Sequence, residues 1–298
     1  MFKAKCPKCK REAGIGFTFD LSQKVINCSC GHLAPAIGLS FDPQPEFLFK
    51  YRPHDCYSES WILNEELFFA SPAMFNDPFD SKVMYTAEGT LEQKKKYLNL
   101  LFEKEYPGIR KKKKWEMINR ALKDGTLEKS HDGHIARMQK HINENGIVSF
   151  SRKPNDLLMF SYYAKDHTGY CLKYRRSSEN VLSMAQKINY EERYPKFSVF
   201  DLALEKEGAI GDKVLYTKAE CWKHEDEWRI GFAGIPKRVM KSTHPILEGI
   251  IFGCNMKLEQ RQEIIELNKR RSKPVPIFEA RKKKFEFALE IVEMSSIN

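Results

Sequence analysis

Two carboxylates two positions apart, Glu225 and Glu227 in CWKHEDEWRI (221–230), have the types and spacing to do chemistry. Side chains at i and i+2 of a strand leave the same face. If EDEWRI opens a strand, both acids therefore project together. Neighbouring carboxylates repel when both ionise. On a solvated strand end beside Lys218 and Lys223 that repulsion costs little, and the pair carries no function. On a buried face it must be offset, and paired carboxylates can then do acid–base work or stabilise an oxocarbenium-like cation, as they do in glycoside cleavage.

Other residues fit such a reaction. Arg52 ends the short strand expected in FLFKYRP (47–53), and its guanidinium fork suits phosphate or ribose oxygens. Ser149 and Ser151, in the strand GIVSFS (146–151), can orient a carboxylate or merely bond to local backbone. Tyr162 and Tyr163 offer rings for stacking, or belong to the core. Asn76, Asp77 and Asp80 in FNDPFDS (75–81) brace a turn, or line a pocket. His167 follows Asp166 near an expected helix end, where a cation suits the helix dipole.

These residues need elements to hold them. Short apolar alternations predict strands at 47–53, 146–151, 170–174, KVLYTK (213–218), EWRIGFAG (227–234), GIIFGCNM (249–256), PVPIFEARK and FEFALEIVE. ESWILNEELFFASP reads as a helix running into a strand. PNDLLMFSYYAKDHTG (154–169) reads as a helix capped by Asn155 or Asp156 and stopped by Gly169. LEQRQEIIELNKRR (258–271) is an amphipathic helix with Ile264, Ile265 and Leu267 inward. Residues 91–145 form a helical insert with Tyr97, Leu101, Trp115, Ile118 and Leu122 at helical spacing. The fold expected is α+β: a mixed, mainly antiparallel sheet with flanking helices, occupying 47–298.

The insert holds 14 Lys+Arg against 8 Asp+Glu, more than half of the chain's net charge of +10. Its run RKKKKW (110–115) can dock phosphates, or be a solvated helix face. The opening MFKAKCPKCK is no signal peptide, and no apolar run approaches the ~20 residues of a membrane span. A cytoplasmic location is expected, where thiols stay reduced.

Four of the eight cysteines fall in the first 30 residues. Cys6 and Cys9 form C-P-K-C, Cys28 and Cys30 form C-S-C-G-H, and GFTFD and KVIN between them read as short strands. The layout resembles a zinc ribbon over 1–38, with four thiolates on one structural zinc. The second pair departs from the usual spacing, with Ser29 alone between its cysteines, so His32 is an alternative ligand. GLSFDPQPE (38–46) reads as a linker, and Cys56, Cys171, Cys221 and Cys254 as buried free thiols.

The order Arg52, then Ser149-Phe150-Ser151 before a helix, then Glu225-Asp226-Glu227, resembles the arginine–serine–glutamate pattern of ADP-ribosyltransferases over about residues 47–234. That resemblance implies NAD as substrate. It places Glu227 on the ribose 2′-hydroxyl, Glu225 on the acceptor, Arg52 on pyrophosphate or ribose, and Ser149 or Ser151 behind Glu227. Tyr162 or Tyr163 would stack on nicotinamide, with Asn76 and Asp77 lining the same pocket. FLFKYRP, LFFASPAMFNDPFDS, SFSRKPNDLLMFSYYAKDHTGYCLKY and KAECWKHEDEWRI together also resemble a widespread bacterial family of domains of unknown function, over about 47–285. Two rivals stand beside the enzyme: a non-catalytic zinc-containing nucleic-acid-binding or sensor protein, and a nuclease holding Mg²⁺ on Asp77 or Asp80 with Glu225 and Glu227. A role in defence or toxicity would suit an NAD-consuming domain.

Overall fold

The computed structural model describes residues 44–86, 88–124, 126–198, 200, 209–242 and 244–294, together with the backbone of three short N-terminal strands. Those strands, β1 (Phe17–Asp20), β2 (Val25–Cys28) and β3 (Leu33–Pro35), pair antiparallel in that order. The first two coincide with the hairpin expected between the cysteine pairs. Cys6, Cys9, Cys30 and His32 lie outside the described residues, as does the side chain of Cys28.

From there the order is β4 (Phe47–Arg52), α1 (Ser58–Ile62), β5 (Glu66–Phe69), β6 (Tyr85–Thr86), α2 (Leu91–Glu105), α3 (Lys111–Lys123), α4 (Thr126–Asn143), β7 (Asn145–Ser151), α5 (Leu157–Tyr163) and β8 (Tyr170–Arg175). Next come β9 (Gln186–Lys187), β10 (Asn189–Glu191), β11 (Phe197–Ser198), α6 (Ala209–Leu215), β12 (Thr217–Ala219) and β13 (Glu227–Ala233). The chain closes with β14 (Arg238–Lys241), β15 (Leu247–Phe252), α7 (Leu258–Lys269), β16 (Ile277–Lys282) and β17 (Leu289–Glu293). This is the α+β mixture expected, and it divides into two compact units.

One unit takes Pro72–Asn145 and Asn189–Glu220, so the helical insert shares it with the FNDPFD turn and a second excursion of the chain. Helix α2 starts at a capping box, in which Thr90 accepts from the Gln93 N–H and Gln93 accepts in return from the Thr90 N–H. Leu98, Ile118 and Ala121 are buried here. Trp115, expected inward, is exposed. Helical spacing places apolar residues on one stripe, but position along α3 decides which of them meets a neighbour. The strand expected at KVLYTK is also corrected. Helix α6 runs to Leu215 and only Thr217–Ala219 is strand. Val214 and Leu215 are adjacent buried residues, a run that periodicity cannot assign to helix or strand.

The other unit takes the residues up to Ser71, Gly146–Ile188 and Cys221 onward. Its eight-stranded sheet has the order β17-β16-β15-β8-β4-β7-β13-β9. β15 and β16 run parallel, whereas β4–β8, β4–β7, β8–β15, β16–β17 and β9–β13 pair antiparallel. Alternation sorts the side chains to two faces. Leu48, Trp61, Val148, Phe150, Leu172, Trp228 and Ile230 pack on one face, and Phe49, Tyr51, Met159, Phe160, Cys171 and Ile251 on the other.

Helix α5 belongs to the second face. Asp156 is its cap, accepting from the N–H groups of Leu158 and Met159. The helix ends by Ala164, earlier than Gly169. Lys165, Asp166 and His167 follow with φ of 47°, 54° and 65°, a left-handed turn that L residues adopt only when packing imposes it. Gly253 packs against this turn, its Cα facing the His167 carbonyl with no room for a side chain. The turn is pinned by Asn255 N–H on His167 O (3.1 Å) and Gly253 N–H on Gly169 O (2.9 Å). Gly253→Ala is accordingly expected to cost about 1–3 kcal/mol of overpacking, read as a lower urea midpoint with an unchanged slope.

Candidate functional site

Strand β7 delivers two serines to the α5 face of the sheet, opposite Val148 and Phe150. Ser151 is fully buried, and its hydroxyl donates to the Glu225 carbonyl (2.6 Å) while accepting from the Lys153 N–H (3.0 Å). This ties the end of β7 to the segment before β13. That segment is a short 3-10 helix, Glu220–Glu225, and not strand. Asp226 then turns left-handed (φ 44°), and its carboxylate accepts from Arg152 Nε (2.7 Å). The two glutamates therefore sit on different backbone: Glu225 ends a helical turn and Glu227 opens β13.

Both acids are buried, at 2% and 4% exposure, so the solvated strand end is excluded. Their partners differ. The Glu225 carboxylate accepts from the Tyr163 hydroxyl (2.7 Å). The Glu227 carboxylate is gripped by Arg229, Nε to Oε1 at 2.6 Å and Nη2 to Oε2 at 3.1 Å. Arg229 is itself 1% exposed. As i and i+2 on β13, Glu227 and Arg229 share the face turned away from Trp228 and Ile230.

Arg52 does not join them. It alternates with Tyr51, whose ring packs edge-on against Phe160 of the α5 face. The Arg52 guanidinium instead lies over the Trp61 ring, on the first face. Its Nε is buried without a hydrogen-bond partner among the described residues, and burial lowers its pKa to about 9. Sequence order put Arg52 at a strand end, where its guanidinium meets Trp61 rather than either glutamate.

A second cation close to both acids is Lys50, two residues before Arg52 and on the same face of β4. Its ammonium donates to the Ser149 carbonyl (2.5 Å), which is what Ser149 brings to the region. Burial, and then the nearby Arg52 charge, hold the Lys50 pKa well below the ordinary lysine value, while Glu227 and Glu225 oppose that shift. The signal for Lys50 in the sequence is a single charge inside the apolar run FLFKY, which belongs to none of the motifs.

The aromatics of α5 divide. Tyr163 serves Glu225, whereas Tyr162 is exposed and stands edge-on to Trp222 (6.1 Å) and His224 (6.3 Å). These three rings form a partly open wall next to the Glu225 turn. His224 Nε2 is buried there without a partner among the described residues. His167 stacks on Phe160, and burial and Lys282 lower its pKa.

Asn76 and Asp77 belong to the other unit. Asp77 Oδ1 accepts from the Phe79 N–H (2.8 Å) and its carbonyl accepts from the Asp80 N–H (3.2 Å), the bracing expected of such a turn. Asp80 is buried against Lys218 (3.9 Å), and burial pushes the nearby Tyr194 phenol up to about 12. Among the described residues no three His, Cys, Asp or Glu side chains are gathered as a metal ion requires. No helix among them is long and apolar enough to cross a membrane. Compared with protein-family models, with curated proteins and with solved structures, the chain has no match.

Proposed function

We propose that this chain is an ADP-ribosyltransferase-like enzyme that cleaves the nicotinamide–ribose bond of NAD, with Glu225 as its working carboxylate. The observation that carries the reading is the setting of Glu225. It is a buried acid fixed through its own carbonyl by Ser151 and through its carboxylate by Tyr163, beside the open ring wall of Tyr162, Trp222 and His224. In the reaction the C–N glycosidic bond breaks and its electron pair leaves with nicotinamide, which becomes neutral. The ribosyl C1′ left behind is an oxocarbenium-like cation. Glu225 stabilises it by holding the ribose 2′-hydroxyl. An acceptor then bonds to C1′ and gives up its proton to a base.

The division of labour differs from the one that the resemblance implies. Glu227 is held by Arg229, and the reading gives the 2′-hydroxyl role to Glu225, whose carboxylate Tyr163 fixes. Arg52 has no part in holding phosphate, and Lys50 is a cation in the field of the acids. Tyr162 takes the stacking role, and Tyr163 orients the carboxylate. Asn76 and Asp77 brace their own turn. The reading keeps the chain in the cytoplasm, in the family of bacterial domains that its motifs resemble, with a role in defence or toxicity. A structural zinc on Cys6, Cys9, Cys28 and Cys30 is part of it, with about one zinc released per chain on thiol modification as the check. Two cysteine pairs that release none would remove the ribbon from the proposal.

The experiment is nicotinamide release from NAD by the purified chain, with bulk protein and nucleic acid each added or withheld as acceptor. Release under any of these conditions supports the reading. No release under all of them leaves the non-catalytic nucleic-acid reading, which one observation favours independently: the exposed basic residues at 110–113, where α3 begins.

A further inference from the structure

Strands β16 and β17 are joined by a tip that closes with the Lys283 N–H on the Ala288 carbonyl (3.0 Å). Two phenylalanines stand on this tip in full solvent, Phe285 at 95% and Phe287 at 102% exposure. No other large apolar side chain among the described residues is as exposed. An isolated exposed apolar residue needs no explanation. Two on one tip, behind four consecutive cations from Arg281 to Lys284, do.

The charges on the tip are not equivalent. Arg281 pairs with Glu279, and Lys283 pairs with Glu286 (3.1 Å). Lys282 and Lys284 have no carboxylate partner among the described residues, and the Lys284 ammonium lies 5.2 Å from the Phe285 ring. Phe287 is also one wall of a slot of about 330 Å³, with Leu158 from α5, Leu289, Lys153 and Asn155 around it. Asn155 fixes the slot by donating to the Leu289 carbonyl (3.0 Å).

A hairpin that dips into lipid needs a continuous apolar tip. Here Glu286 separates the two rings and is held by Lys283, so a charged pair would have to enter the bilayer with them. A slot with an aromatic wall, lined also by the Lys153–Asp156 ion pair and carried on the hairpin of Lys282 and Lys284, suits a different ligand. Bases stack on such rings whatever their sequence, and the phosphates that link them seek cations. We propose that this hairpin and slot bind single-stranded nucleic acid, with one base between Phe287 and Leu158, a second on Phe285, and phosphates on Lys282 and Lys284. The site does not depend on the NAD reading and is distinct from the basic helices of the other unit.

The test is fluorescence anisotropy of the full chain with a labelled single-stranded oligonucleotide of about 12 nucleotides, over a series of salt concentrations. Phe285→Ala with Phe287→Ala is expected to weaken binding by about tenfold or more, with the salt slope unchanged. Lys282→Gln with Lys284→Gln is expected to flatten the slope of log K against log salt by about 0.7 for each phosphate no longer neutralised. All four side chains are exposed, so the variants should melt with the unaltered chain. A duplex of the same sequence should bind more weakly, since paired bases cannot enter the slot. Three results would overturn the proposal: no binding by the unaltered chain, equal binding by the phenylalanine variant, or equal binding of duplex. Phosphatidylserine vesicles form the last arm. Phenylalanine-dependent binding to them, without such dependence for the oligonucleotide, would assign the tip to lipid.

Discussion

Glu225→Gln is expected to lower nicotinamide release by at least about 10²-fold, the scale on which a positioned acid–base group contributes, while the melting temperature stays within a few degrees of the unaltered chain. The amide keeps the shape of the carboxylate and can still accept the Tyr163 hydroxyl bond. What it loses is the negative charge that faces the ribosyl cation. Tyr163→Phe is expected to have a smaller effect, about tenfold, because the phenol acts only by orienting Glu225. The order of the two effects is the informative part. A carboxylate that merely braced α5 against the Glu220–Glu225 turn would make both variants less stable and neither less active per folded molecule. Release by Glu225→Gln at the rate of the unaltered chain would end the proposed role.

Glu227→Gln should behave in the opposite way. It removes one charge of a buried ion pair and the carboxylate that grips Arg229, itself 1% exposed. Breaking such a pair from one side costs about 3–5 kcal/mol, which corresponds to a fall in melting temperature on the order of 10 °C. Replacing both partners at once, Glu227→Gln with Arg229→Met, is expected to recover part of that stability, since both members of the pair are removed together. Urea unfolding of the two single variants and the double variant gives the coupling energy directly. If Glu227→Gln unfolds at the same urea concentration as the unaltered chain, the pair is not the brace that its geometry suggests. The contrast has a practical consequence. Reduced activity in Glu227→Gln alone would not identify a catalytic residue, because the variant is expected to unfold more readily.

Much of the framework could be read directly from the chain. FLFKYR, GIVSFS, YCLKY, EWRIGFA and GIIF are short alternating or continuous apolar runs rich in β-branched and aromatic residues, and they became strands. Asp156 became a cap because its carboxylate satisfies the first free N–H groups of α5. KVLYTK misled for the same reason that these succeeded. Its two adjacent apolar residues carry no period, and the helix that claimed them starts further back, at Ala209.

The chain by itself also determined that two acids stand two apart beside an arginine, because that motif is local; that Ser151 and Tyr163 reach Glu225 from 74 and 62 residues away is the work of the tertiary structure. The chain could not determine which of the two acids can act. That depends on two tertiary facts. Asp226 turns left-handed, which takes Glu225 off the strand and hands it to Tyr163. The pleat of β13 sets Arg229 beside Glu227, and the end of β4 leaves Arg52 over Trp61. A single residue of register decides the face of every side chain in a strand. Residue types and spacing therefore nominate a site, while the packing around each strand of the assembled sheet selects its members.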